Sequence, residues 1–188
     1  MTENIKQEDS GAEEARLLGE MFRQSAEGLG RIKAQDPRWP TSLKGAEMRG
    51  AVMRDAQLEE ADLDGTDLRG VCLEEAILDG ATLRGAQLQG ADFYGAHLIG
   101  ADLSKANLDG ACLAHAVLAA AVLHEASLKG ASLEEADLDG TELQGADVTP
   151  EQLAQAICLQ AVTLPDGTQL SDDNWVAEFE EWRSKQEE

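Results

Sequence analysis

Residues 91–110 read ADFYG AHLIG ADLSK ANLDG, four units of five, each with alanine first and a large apolar residue third. Working outward in both directions, the register never slips between Thr41 and Pro150, which gives 22 consecutive units. If the central apolar residue is called i, the series runs Leu43, Met48, Met53, Leu58, Leu63 and on to Leu143 and Val148, with leucine at 18 of 22. Position i−2 is alanine in 18 of 22, the exceptions being Thr41, Thr66, Val71 and Thr141, and i+2 is glycine in 13. Position i−1 is often Asp or Asn, as at Asp62, Asp67, Asp92, Asp102, Asn107, Asp137 and Asp147, while i+1 is unconstrained.

An α-helix places apolar residues three and four apart and a strand places them two apart. An obligate period of five, with one large and one small apolar residue per unit, suits neither. It suits a chain that turns a corner every five residues, with i and i−2 facing inward and glycine easing the bend. Four such sides close a coil of 20 residues, and coils stacked at the inter-strand spacing of about 4.8 Å make a rod roughly 26 Å long. Leucine fills the centre, and each one buried is worth about 1.5–3 kcal/mol. Contacts then run from residue n to n+20, so stability is expected to be additive along the stack.

The run from ADLDG at 61–65 to ADLDG at 136–140 resembles the pentapeptide-repeat protein family. The resemblance covers residues 41–150 and implies an all-β solenoid, a right-handed quadrilateral parallel β-helix. With short α-helical caps at its ends, the chain divides into an N-terminal helical cap (1–40), the β-helix (41–150) and a C-terminal helical cap or dimerisation segment (151–188).

The flanks carry five of the seven aromatic residues. An open coil end exposes strand edges and core leucines, so it must be covered. Ser10 to Gly28 reads as a helix with Leu18, Met21 and Phe22 on one face, and with Trp39 it is assigned as the N-terminal cap. Thr149-Pro150-Glu151-Gln152 is a helix start, with Leu153 and Ile157 expected on one face. Leu164-Pro165-Asp166-Gly167 makes a turn. Ser171 then caps a terminal helix whose acidic first turn holds Asp172 and Asp173, with Trp175, Val176, Phe179 and Trp182 forming an apolar stripe. That stripe either packs on the last coil or pairs with a second copy, as C-terminal elements do in several members of the family it resembles.

Fifteen Lys and Arg stand against 37 Asp and Glu, a formal charge of −22. This speaks against direct nucleic-acid binding, which is driven by cationic side chains, and against an anionic membrane surface. No apolar run approaches a membrane span and residues 1–10 lack a secretory h-region, so the chain is expected in the cytoplasm. Three cysteines without CxxC spacing read as reduced thiols, and Cys72 and Cys112 would stand two coils apart, beyond disulfide reach.

No catalytic constellation is present in the sequence, and neither a cofactor nor a metal is expected. GxxxxG motifs such as Gly85 to Gly90 are a by-product of the period and lack a following Gly-Lys-Ser/Thr. DLDGT at 62–66 and 137–141 resembles half an EF-hand, but Asp67 and Glu142 stand where the loop needs glycine. His97, His115 and His124 occupy three different phases of the repeat and are expected to face solvent.

Sorting the outward residues modulo 20 gives sides one to four, centred on Leu63, Leu68, Leu73 and Leu78 and their equivalents. Sides one and two are polar. On sides three and four the i−1 residues become Ile77, His97 and Val117, with Tyr94, Ile99, Ala114, Ala119 and Ala120 beside them and Val122 round the next corner. An apolar patch of this kind is expected to be a docking surface for a protein partner or a second copy, the other readings being cover by the chain's own terminal segments and neutral drift at tolerant positions. The expected function is a non-enzymatic protein-interaction module. The alternative comes from gyrase-interacting members of the family it resembles, which imitate DNA in shape and charge. The net −13 of residues 41–150 over a roughly 26 Å rod approaches the charge density of duplex DNA.

Overall fold

A computed structural model describes residues 43–186; the expected N-terminal cap, 1–40, lies outside the described residues. Parallel bridges link residues 20 apart, one column per side. Side one joins Asp62, Thr82, Asp102, Val122 and Glu142, and side two joins Glu47, Asp67, Gln87, Asn107, Ser127 and Asp147. Side three joins Val52, Cys72, Asp92, Cys112 and Ser132, and side four joins Gln57, Ile77, His97, Val117 and Asp137. The repeats therefore form a four-sided stack of parallel coils.

The backbone bonds explain the repeat residue by residue. Around Phe93, the Phe93 and Gly95 amides donate one coil onward to Cys112 and Ala114, and in the next unit the His97 amide donates back to Ala76 while the Ala96 amide closes the corner onto the Phe93 carbonyl at 2.9 Å. Only the i+1 amide has no backbone acceptor in this scheme. The Asp or Asn at i−1 supplies one: Asp92 Oδ1 accepts from the Tyr94 amide at 3.1 Å, and Asp102, Asn107 and Asp137 do the same for Ser104, Asp109 and Asp139 at 3.0 Å. The preference at i−1 is thus an Asx turn repeated up the rod.

The centre is filled by Leu58 to Leu143 and the i−2 alanines, nearly all of them fully buried. Thr66 and Thr141 occupy alanine seats, and their hydroxyls donate to the Leu63 and Leu118 carbonyls at 2.7 and 3.0 Å. Every i+2 residue from Gly45 to Gly145 has positive φ, whether or not it is glycine.

The coil does not end with the last recognisable unit. Thr149 caps the short helix α1 (Pro150–Leu153) in a capping box with Gln152. The buried Gln152 side-chain amide also donates to the Leu128 and Ala131 carbonyls at 2.6 and 2.8 Å, and the Ala131 carbonyl is one that a further regular coil would have met. The expectation that Leu153 and Ile157 share a helix face is corrected: Leu153 is buried, but α1 stops there and Ile157 is 65% exposed. The chain instead rejoins the stack with one extra residue, pairing Asp137 with Cys158 and Glu142 with Thr163. Leu159 and Leu164 take the core seats, and a hairpin turn through Gly167 brings Gln169 antiparallel to Thr163 and buries Leu170.

The terminal helix α2 runs Trp175–Gln186 and so starts later than Asp172 and Asp173 suggest. Ser171 accepts from the Asn174 amide at 3.2 Å and is held by the Glu178 carboxylate. No helix among the described residues is long and apolar enough to cross a membrane.

Candidate interaction face

The two sets of residues singled out in the sequence have different fates. In α2, Phe179 and Trp182 are buried and stacked, ring centroids 5.8 Å apart, and join the core of their own chain. The Trp182 indole donates to Asp166 Oδ2 at 2.9 Å, and the Thr168 amide donates to the other oxygen of that carboxylate. These hydrogen bonds hold the Asp166 carboxyl below its ordinary range although burial opposes them. Trp175 packs against the same core and Val176 is exposed.

On the rod, Ile77, His97 and Val117 stack in one column of side four. Tyr94 lies at the corner entering that side and Ile99 at the corner leaving it, 45% and 43% exposed. Ala119 stands one coil above Ile99, and Val122 round the next corner is half-buried over Asp102. Ala114 is almost wholly buried. Tyr94 meets His115 edge-on, with ring centroids 5.1 Å apart, and His115 Nδ1 lies 3.2 Å from Glu135. His124 is on side one, 2.8 Å from Glu142, so the histidines do not share one site.

The register also sorts the charges. Of the seven Lys and Arg in residues 41–150, six (Lys44, Arg49, Arg69, Arg84, Lys105 and Lys129) lie on sides one and two, and only Arg54 lies on the other half. Sides one and two hold nine acids, largely engaged by these bases. Arg84 grips Asp64 at 2.7 Å, and Arg69 with Arg49 holds the Asp67 carboxyl at about 2. Sides three and four hold 11 acids. They cluster below the apolar residues, at Glu74, Glu75 and Asp79, and above them, at Glu134, Glu135, Asp137 and Asp139. The apolar belt thus has acidic borders along the rod in both directions.

Corner strain leans the same way: six of the eight corners that carry a side chain at positive φ lie on sides three and four, and the other two, Lys105 and Glu125, on side one. The side-two corner is glycine in all five coils, Gly50 to Gly130. The corner between sides three and four carries a side chain in four of five, Asp55, Glu75, His115 and Glu135, each at a φ between 52° and 59°. Holding an L-residue there costs about 1–2 kcal/mol. Strain of this sort persists where side chains are retained for a purpose other than the fold.

One grouping of metal-ligand types occurs among the described residues: Cys72, Glu74 and Asp92, their ligand atoms within 4.8 Å of one another. Each member has another engagement. Glu74 pairs with Arg54, Asp92 accepts from the Tyr94 amide, and burial pushes the Cys72 thiol up. Sequence spacing hid this grouping because Asp92 reaches it from the next coil.

A four-sided stack of parallel 20-residue coils places the chain among the β-solenoids. The sequence profile of pentapeptide repeats matches residues 41–75, 76–114 and 116–149 in eight copies, and the chain belongs to the pentapeptide-repeat family, which implies a right-handed quadrilateral β-helix. Among solved structures, a pentapeptide repeat protein (Rfr23) from the cyanobacterium Cyanothece 51142 is 32% identical over 61% of this chain and 78% of its own, with a TM-score of 0.47. A pentapeptide repeat protein of the Arabidopsis thaliana thylakoid lumen is 27% identical over 72% and 88%, with a TM-score of 0.38. The plasmid-mediated fluoroquinolone resistance protein QnrB1 is 16% identical over 74% and 83%, with a TM-score of 0.27. No curated protein matches the chain.

Proposed function

We propose that this chain is a non-enzymatic protein-interaction module, a right-handed rod working in the cytoplasm and binding through sides three and four. The observation that carries this reading is the belt of exposed Tyr94, His97 and Ile99 with half-buried Val117, between two acidic borders, on the half of the rod that holds six of the eight side-chain-bearing corners at positive φ among the repeats. Soluble proteins seldom leave such a belt uncovered, and its rigid backing keeps the entropy of docking low. The test combines Ile99→Asp with Val117→Asp in the full chain. Both side chains point outward, so circular dichroism and the melting transition should hold while oligomeric state or partner capture from the native cytoplasm changes. Unaltered oligomeric state and an unaltered set of captured proteins would sink the reading.

Modulation of DNA gyrase through DNA mimicry is the second reading, favoured by the 11 acids that face one arginine on sides three and four. It ranks below the first because apolar residues within 91–100 and 111–120 interrupt those acids. A supercoiling assay with purified gyrase, with and without a fluoroquinolone, decides it: no effect at micromolar protein removes this reading.

A further inference from the structure

Resting on the interaction reading above, the geometry points to a particular occupant: we propose that the belt on side four receives an amphipathic α-helix whose apolar stripe is flanked on both edges by Lys or Arg, lying along the coil direction.

The first argument is spacing. Apart from half-buried Ile77, which stands in the lower acidic row, the apolar residues occupy two adjacent coils, 91–100 and 111–120, while the acidic rows lie in the coils immediately before and after. At about 4.8 Å per coil the acidic rows stand roughly 14 Å apart. A helix with its side chains is about 10–12 Å across, so it fits between them with its flanking side chains over the acids.

Charge is the second argument. Glu75 and Asp79 on one border and Glu135 and Asp139 on the other have no Lys or Arg near them on these sides, apart from Arg54 in the first coil. A partner with basic edges is complementary in both directions. A second copy docking by the same face would set acidic border against acidic border, which disfavours self-association here.

The third argument is the backbone. On side four the amides of His97, Leu98 and Gly100 donate to Ala76, Val117 and Ala119, and the Ile99 amide donates to Asp79 Oδ1 at 2.9 Å. In this coil no donor is left for an added strand, and the two side-four amides without an acceptor, at Asp79 and Ala119, stand two coils apart and cannot pair one, so recognition falls to the side chains. A helix satisfies its own backbone and brings only side chains in return.

The probe is a fluorescent synthetic peptide of leucine and lysine, about 18 residues long, with leucine at i, i+3, i+4 and i+7. A scrambled peptide of identical composition has no stripe. The full chain should bind the striped peptide at least about tenfold more tightly than the scrambled one, and Ile99→Asp with Val117→Asp should remove that preference. Asp137→Asn with Asp139→Asn keeps the Oδ1 acceptor that the Asp139 amide uses, and should weaken striped binding several-fold. The same charge change on sides one and two, Glu47→Gln with Glu125→Gln, should not. Equal binding of both peptides, equal loss from both charge-neutral pairs, or no binding would each overturn the helix proposal. If partner capture nevertheless responds to the Ile99 and Val117 pair, the face is an interface for another chemistry and only the helix is wrong.

Discussion

Ala120 and Gly90 allow the corner-strain argument to be tested with opposite signs in one fold. Ala120 sits at a corner with φ 57° and is exposed; Gly90 sits at a side-two corner with φ 65°, and a Cβ there would meet nothing within 4 Å. Left-handed backbone costs an L-residue about 1–2 kcal/mol. Glycine's greater freedom in the unfolded chain returns roughly 0.5–1 kcal/mol of any gain. Ala120→Gly should therefore stabilise by about 0.5–1 kcal/mol, and Gly90→Ala should destabilise by a similar amount with no steric contribution. For a chain of this size the melting temperature should move by about 1–4 °C, upward in the first case and downward in the second. Urea titration followed by circular dichroism gives the free energies directly. Glu60→Gly, three coils from Ala120 on the same corner, should add to Ala120→Gly within error. If Ala120→Gly were neutral or destabilising and Gly90→Ala harmless, left-handed strain would not explain the glycines. The retained side chains at Glu75, His115 and Glu135 would then lose their force as evidence for a binding face.

Three further outcomes follow from the packing and charge. Leu103→Lys puts an unpaired charge where the native side chain is fully buried between coils, and should unfold the middle of the stack; an unchanged melting curve would contradict the inward assignment. Asp67 is held at about 2 against an ordinary 3.8, chiefly by its side-chain hydrogen bonds with Arg69. Because the folded value is the depressed one, its contribution is complete above pH 3.8 and is lost as pH falls toward 2, and Arg69→Leu should flatten the acid limb of the stability curve by at most about 1 kcal/mol, since the pair is partly exposed. Truncation after Ser171 removes Phe179 and Trp182 from the core and the Trp182–Asp166 bond, and should lower the melting temperature and promote aggregation; a monomer of unchanged stability on sizing chromatography would refute a capping role for α2.

Much of this molecule is legible because the core imposes a strict period. Leu58, Leu78, Leu98, Leu118 and Leu138 recur every 20 residues, and stacking requires just that. The same strictness concealed the continuation beyond Val148. Leu159 and Leu164 follow Leu138 and Leu143 by 21 residues, and the capping box at Thr149 is a genuine helix signal for a helix that stops after one turn, at Leu153, before the chain rejoins the stack. A search that allowed one inserted residue would have found the extra half coil. The sequence shows which corners lack glycine, but only coordinates show that Glu75 and Ala120 keep positive φ, since a single corner could have relaxed had the coil not fixed it on both sides.

The core's demands stop at the i and i−2 positions, and that leaves the four outer sides free to diverge. Sides one and two use this freedom for pairing: Arg84 with Asp64, Arg69 with Asp67, Lys129 with Asp147, and glycine at every side-two corner. Sides three and four use it otherwise, with acids that few bases on the rod oppose, apolar residues at i−1 where the Asx turn would favour Asp or Asn, and corners that would be more stable as glycine. Each departure lowers the stability of the isolated chain. Loss of the Asx turn leaves the Asp79 and Ala119 amides without the acceptor that Asp92 gives Tyr94, and the uncompensated acids repel. Because stability in a stack is close to a sum over coils, such losses could be removed one residue at a time without disturbing the rest. Their concentration around a single exposed belt is the pattern expected of a surface maintained for a ligand with an apolar centre and positive edges, which would restore what the free rod forgoes.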